Sequence, residues 1–243
     1  MVNLNMELKT IELPAIFTEE VWKDMGEVAD WKKHIGKPRV SYSQINTWTN
    51  MSYEKEPKQA YIREKFLGIP KMIPEAFGQF GDAVEDYICF KKNEWGFSQT
   101  ELDTLNKIKP LGTFQTPILI DFETFVLIGY LDDSNKTTIR DYKTASNSSK
   151  EQYLNGEYKK LHIYALDWLL NKGKMPKKLE VVIIERNGNA FGGGALTVGG
   201  QIWVKDFKPT EEELLTMKKL IIDTVSEISD YYKVFKKFTV KSV

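Results

Sequence analysis

The sequence predicts an α/β fold, a central mixed β-sheet flanked by helices, on two observations. Between Thr113 and Thr144 three short β-rich runs succeed one another, PILIDF, ETFVLIGYLDD and NKTTIRDYKT, parted by acidic or Ser-Asn turn signals. On either side stand segments whose apolar residues recur at three- and four-residue spacing, as on an amphipathic helix. A chain of 243 residues is about one and a half times a common domain of ~150, which suits one large domain or a core with a helical annex.

Residues 1–38 read as an N-terminal arm, polar and poorly periodic, with Pro14 and Pro38. A short helix is predicted within 17–36, with Val21, Met25 and Trp31 as its apolar stripe. Ser41 or Ser43 then caps a helix carrying Ile45 and Trp48 on one face, and Pro70 and Pro74 punctuate the stretch after it. Residues 75–93 have helical length, with Gly78, Gly81, Val84 and Ile88 on one stripe. The three β-runs form an antiparallel meander. Leu154, Tyr158, Leu161, Ala165, Trp168 and Leu169 mark one helix over 148–174, closed by Gly173 and packed back on those strands. A strand over 177–188, a Gly-rich turn and an alternating strand reaching Phe207 complete a core of residues 39–208. Pro209 and Thr210 open a long helix over 209–243, with acids in its first turn as the helix dipole prefers, and this helix packs on the core.

Composition excludes several classes. Hydrophobic residues make up 42% and charged residues 28%, too apolar for a disordered chain. Thirty-four basic residues balance thirty-four acidic ones, so nucleic acid is not held by bulk positive charge, and a local basic groove is the only electrostatic route to it. The single cysteine, Cys89, excludes an intramolecular disulfide and a Cys-ligated zinc or iron–sulfur cluster, which leaves oxygen or histidine ligands for any metal. His34 and His162 lack metal-ligand spacing and read as surface or helix-face residues. Gly192, Gly193 and Gly194 lack the strand–glycine-loop–helix context of a phosphate loop and read as a hairpin turn. No basic-then-apolar start and no run of ~18 apolar residues occurs, so a soluble, cytoplasmic protein is expected, neither secreted nor membrane-bound.

The chemistry concentrates in GYLDDSNKTTIRDYKT. Side chains alternate along a strand, so Asp141 and Lys143 share one face with Tyr142 opposite, and hairpin pairing brings Asp132 beside them. Two carboxylates and a lysine meet the needs of divalent-metal phosphodiester hydrolysis: hard oxygen ligands for Mg²⁺ or Mn²⁺, and a cation near the attacking water. The acid-x-Lys pattern alone carries little, because Glu7/Lys9, Asp30/Lys32, Glu56/Lys58, Glu157/Lys159 and Asp206/Lys208 share it. Only Asp141/Lys143 ends a predicted strand that comes after Gly129-x-x-Asp132 and precedes an amphipathic helix. A turn pair at Asp132 and Asp133 with a surface pair at Asp141 and Lys143 is the structural alternative. Glu85, four residues from Gly81 and three from Ile88, places a third carboxylate on a core-facing stripe, where a buried charge calls for a cation partner. A salt bridge there is the alternative.

This order of elements, a Ser-x-Ser segment, a Gly-rich helix with an acid, GxxD, DxK, then a helix with LxxYA, resembles the RecB-like, phage exonuclease-like branch of the PD-(D/E)XK nuclease superfamily over residues 39–208. The resemblance implies a restriction-endonuclease-like core without an iron–sulfur cluster. It implies Glu85, Asp132, Asp141 and the Tyr142 carbonyl as ligands of one or two Mg²⁺ or Mn²⁺ ions, and Lys143 as the residue that orients the hydrolytic water. Ser43, Lys159, Lys160 and Tyr164 are the expected nucleic-acid contacts. Relatives commonly carry glutamine where this chain has Lys160, which replaces an amide contact by a point charge. The implied activity is metal-dependent cleavage of single- or double-stranded DNA, as an exonuclease in recombination, repair or phage DNA processing. A homo-oligomer such as a ring, or a recombination or replication protein, is the implied partner. The alternatives are a structure- or sequence-specific endonuclease on the same core, a catalytically inactive DNA-binding or assembly subunit, and a metal site for some other hydrolysis.

Overall fold

The β-rich runs and amphipathic segments become strands and helices largely where the sequence predicts them. A computed structural model describes residues 10–23, 25, 28, 30–49, 56–70, 75–155 and 158–239. The expectations for residues 1–9, the punctuation at Pro74 and the last residues of the C-terminal segment lie outside the described residues. In chain order the elements are α1 (Glu19–Lys23), β1 (Arg39–Ser41), α2 (Tyr42–Thr49), α3 (Pro57–Tyr61), α4 (Ala76–Phe90), α5 (Gln99–Leu105), β2 (Thr113–Asp121), β3 (Val126–Ser134), β4 (Thr138–Ala145), α6 (Lys150–Leu154), α7 (Lys159–Lys172), β5 (Lys178–Asn187), β6 (Thr197–Phe207) and α8 (Glu211–Thr239). The six strands make a mixed sheet with helices on its flanks, the predicted class. No helix among the described residues is long and apolar enough to cross a membrane.

The chain forms two compact units, one of Met1–Lys71, Pro117–Tyr130 and Leu215–Val243, the other of Met72–Thr116 and Leu131–Leu214, each taken over its described residues. In the first, β1 pairs in parallel with the start of β3, from Arg39 opposite Val126 to Ser41 opposite Ile128. Ser41 holds the N-cap position of α2, where the Gln44 side chain accepts its backbone N–H at 2.8 Å, so Ser41 and not Ser43 is the cap residue. Ile45 and Trp48 are buried as the stripe predicts, and the Trp48 indole donates to Glu227 at 2.9 Å.

The helix predicted within 17–36 appears as two short pieces, α1 and a 3₁₀ turn over Trp31–His34. Its stripe nevertheless packs as one surface, with Val21, Met25 and Trp31 around Phe17, Trp22, Leu119 and Val126. His34, expected at the surface or on a helix face, lies in the 3₁₀ turn but is buried, with its Nδ1 3.6 Å from an Asp121 carboxylate oxygen. The aromatic packing of the arm draws the 3₁₀ turn inward, which periodicity alone does not reveal.

In the second unit the end of β3 runs antiparallel to β4, β4 parallel to β5 from Thr138–Lys178 to Ala145–Glu185, and β5 antiparallel to β6. Its core joins Phe80, Val84 and Ile88 of α4 to Tyr142, Val182 and Ile184 of the sheet. The predicted stripe of α4 is shifted: Val84 and Ile88 are buried, but Gly78 is exposed and Phe80 takes the inner position. The single helix predicted over 148–174 is two, α6 and α7. Asn155 caps α6 through its N–H to the Glu151 carbonyl, and the Asn155-Gly156 dipeptide is a turn signal that outweighs the flanking periodicity. Gly173 closes α7 in a left-handed conformation as predicted, and the glycine run sits in the β5–β6 connection. Thr210 and Glu213 form a reciprocal capping box that opens α8.

Candidate active site

The period-two geometry of β4 divides its side chains between two environments. On one face Tyr142 enters the core and donates its hydroxyl to Asp133 at 2.7 Å. On the other, Asp141 and Lys143 stand together, with Lys143 Nζ 2.5 Å from Asp141 Oδ2 and donating to the Tyr142 carbonyl at 3.1 Å. The ladder between β3 and β4 pairs Asp133 with Arg140. One residue before Asp133, the Asp132 side chain accepts the Tyr142 backbone N–H on Oδ2 at 3.1 Å, which ties the acid of one strand to the backbone between Asp141 and Lys143. Both aspartates are nearly sealed from solvent, Asp132 at 4% and Asp141 at 1% exposure.

Lys160, in the first turn of α7, reaches into this pair. Its Nζ lies 2.9 Å from Asp132 Oδ1 and 2.6 Å from Asp141 Oδ1, the second approach being off the direction of a hydrogen bond. The Tyr164 ring, one helical turn on, has its centroid 5.4 Å from the same nitrogen. On α4, Glu85 accepts a hydrogen bond from the Gln115 side chain and is partly buried.

These charges decide the protonation pattern. Burial, then the neighbouring Asp141 charge, pushes the Asp132 carboxyl up to about 6. Burial opposes ionisation of Asp141 as well, but the ammoniums of Lys143 and Lys160 outweigh it and hold that carboxyl well below the usual range. Burial, then Asp132, pushes Glu85 up to about 8. Burial would lower Lys160, yet Asp141, Tyr164 and Asp132 together keep it well above its ordinary value. One aspartate is thus firmly ionised beside two ammoniums, and its neighbours hold protons more readily than free carboxylates do.

Asp132, Asp141, Tyr142, Lys143, Lys160 and Tyr164 therefore come together, and Glu85 is close enough to feel the charges of Asp132, Lys160, Asp141 and Lys143. Lys159 is the first residue of α7. Ser43 belongs to the other unit, where its hydroxyl lies 2.8 Å from that of Ser41. Tyr164 is 2% exposed, so its ring faces Lys160 and is not presented for base stacking. Sequence reasoning missed Gln115 as the partner of Glu85, and it read Asp133 only as a turn residue. Asp133 is instead fully buried, accepting the Leu111 and Gly112 N–H groups at 2.8 and 3.1 Å. The adjacent acids of Asp132-Asp133 point to opposite faces of β3, a signal that alternation could have supplied.

The donor set bears on a metal directly. Asp132, Asp141, Glu85 and the Tyr142 carbonyl offer oxygen only, the chemistry of a hard divalent cation. Asp141 Oδ1 is buried without a hydrogen bond, and it converges with Asp132 Oδ1 on one point now held by the Lys160 ammonium. Among the described residues no three His, Cys, Asp or Glu side chains form a ready cage by themselves. The oxygen donors of the two aspartates would suit such a cation.

Comparison with known proteins agrees at the level of fold. No protein-family profile matches the chain, and no curated protein matches it by sequence. Among solved structures, a candidate exonuclease from Eubacterium rectale superposes with a TM-score of 0.52 at 15% identity, over 89% of this chain and 87% of that one. An alkaline exonuclease from Laribacter hongkongensis gives 0.49 at 11% identity, over 84% of this chain and 95% of that one. A phage-related exonuclease from Haemophilus somnus gives 0.47 at 11% identity, over 92% and 97%. The first of these likenesses shows a shared fold.

Proposed function

We propose that this chain is a metal-dependent DNA nuclease of the PD-(D/E)XK type, acting as an exonuclease on DNA ends. The observation that carries the reading is the cluster of Asp132 on β3 with Asp141 and Lys143 on β4, in which Lys143 contacts Asp141, Asp132 accepts the Tyr142 N–H, and Lys160 touches both carboxylates. It stands in a fold shared with a structure described as a candidate exonuclease. A divalent cation bound there would neutralise charge developing on the phosphate and make a bound water easier to deprotonate.

The chain's own residues do the rest. Asp141, kept ionised by Lys143 and Lys160 before a cation binds, and Asp132, anchored by the Tyr142 N–H, would hold the cation, with Glu85 as the third acid. Lys143 bridges the Asp141 carboxylate and the Tyr142 carbonyl, from where its ammonium would orient the attacking water and offset negative charge in the transition state. Lys159 and Lys160, at the start of α7, supply positive charge for the DNA backbone, and Ser43 is a further proposed backbone contact.

End-labelled linear DNA and closed circular DNA, each incubated with Mg²⁺, Mn²⁺ or EDTA, test the reading. An exonuclease degrades the linear substrate with either metal, leaves closed circles intact and stops in EDTA. Cutting of closed circles supports an endonuclease on the same core. A second reading, a DNA-binding assembly subunit, is favoured by one observation, the Lys160 ammonium held between the two aspartates. It predicts DNA binding without cleavage in any metal.

A further inference from the structure

We propose that Lys160 is a resident counter-cation of the Asp132/Asp141 pair and competes with a divalent cation for it, an inference that rests on the metal-dependent reading above. Its ammonium bridges the two Oδ1 atoms, at 2.9 and 2.6 Å. The other carboxylate oxygens are engaged elsewhere, Asp132 Oδ2 by the Tyr142 N–H and Asp141 Oδ2 by Lys143. A cation shared by the two aspartates therefore takes the point that Lys160 occupies.

The position of Lys160 in its helix argues in the same direction. It is the second residue of α7, in the turn where the helix dipole disfavours a positive charge. Two carboxylates offset that cost. The side chain is only 22% exposed and its nitrogen faces the Tyr164 ring, so the ammonium is aimed at the acids and not at solvent. In the metal-free protein Lys160 neutralises a pair of adjacent carboxylates that would otherwise repel each other. Its four-carbon stem lets it leave by rotation when a cation arrives, and the freed ammonium is then available to a phosphate oxygen. The pair thus has a lower affinity for metal than its oxygen donors alone would give, and metal binding is coupled to the release of a DNA-contacting cation.

Titration calorimetry with Mn²⁺ alone, without DNA, tests this on the full chain. Wild type, Lys160→Gln and Lys160→Met are compared, Met keeping an unbranched stem against Tyr164, with Asp141→Asn as the control for the site. The variants are expected to bind Mn²⁺ on the order of tenfold or more tightly than wild type, the scale of one strong charge interaction. Without metal they unfold at lower temperature than wild type, and Mn²⁺ removes the difference. If wild type binds Mn²⁺ through Asp141 and the variants bind it equally or more weakly, Lys160 is not a competitor while the nuclease reading stands. If neither wild type nor variants bind Mn²⁺, the metal-dependent reading fails and takes the inference with it. A folding failure in one variant leaves the other to decide.

Discussion

Asp132 accepts the backbone N–H of Tyr142 at 3.1 Å, so the acid of β3 is positioned by the main chain of β4 and not only by its own strand. This bond sets Asp132 beside Asp141, next to the ladder pair of Asp133 with Arg140. Asp132→Asn keeps an acceptor for the Tyr142 N–H but removes a charge from the pair. The expected outcome is a loss of nuclease rate of roughly 10²–10³-fold, the scale of a single electrostatic contribution to a transition state. The unfolding free energy from urea titration is expected to change little, within about 1 kcal/mol, since the Tyr142 N–H keeps its acceptor and Lys160 keeps Asp141 as its partner. Nuclease assay and urea titration on the same preparation check both.

The opposite face of the same strands is structural. Asp133 accepts two backbone N–H groups and the Tyr142 hydroxyl, with Arg140 at 3.6 Å, and Arg140 Nε donates to Glu180 at 2.6 Å. Asp133→Ala orphans buried donors and leaves Arg140 with one acid fewer. A loss of roughly 3–5 kcal/mol in urea unfolding is expected, as for a broken buried pair. Protein that remains folded should retain its cleavage rate, which separates Asp133 from its neighbour Asp132.

Asp167 gives a pH signature independent of the cluster. It is buried on α7, where burial pushes its carboxyl up to about 6 against the hydrogen bond from Asn171 at 2.8 Å. The folded state then holds a proton that the unfolded chain has released, so Asp167 lowers stability progressively as pH rises from ~4 through ~6. Asp167→Asn should therefore stabilise the protein by roughly 2–3 kcal/mol at pH 7.5, and the gain should vanish near pH 4. Urea unfolding at the two pH values measures it. An equal gain at both would contradict the assignment.

Gly188 makes the β5–β6 connection possible. Its φ is +87°, and a Cβ there would run into the Ala195 carbonyl oxygen, a backbone atom that cannot swing aside. Gly188→Ala is expected to cost at least ~1–3 kcal/mol of stability, the scale of enforced backbone strain, as read by thermal unfolding.

Much of the fold and of the site is legible in the sequence. The β-rich runs PILIDF, FVLIGYLDD and TTIRDYKT between turn signals mark β2, β3 and β4, and the period of two along a strand places Asp141 and Lys143 on one face with Tyr142 on the other. Glu85 stands out because a carboxylate on an apolar stripe needs an account, and it does sit within the field of the aspartates. The hidden part depends on tertiary partners. Helical spacing puts Lys160 and Tyr164 on one side of α7, but nothing local says that this side meets Asp132 and Asp141. For the same reason the sequence leaves Tyr164 between a nucleic-acid contact and a core position, and it is buried. The break after Leu154 has a local signal in Asn155-Gly156, which the apolar spacing around it obscures.

Asp141 and Lys143, on this reading, serve cleavage and not merely the fold. The most direct measurement is the initial rate of Mg²⁺-dependent release of label from linear DNA by wild type, Asp141→Asn and Lys143→Met, each confirmed folded by circular dichroism. Cleavage by wild type that EDTA stops is expected, with losses of at least ~10²-fold in both variants. Folded variants that cut DNA at the wild-type rate would contradict it.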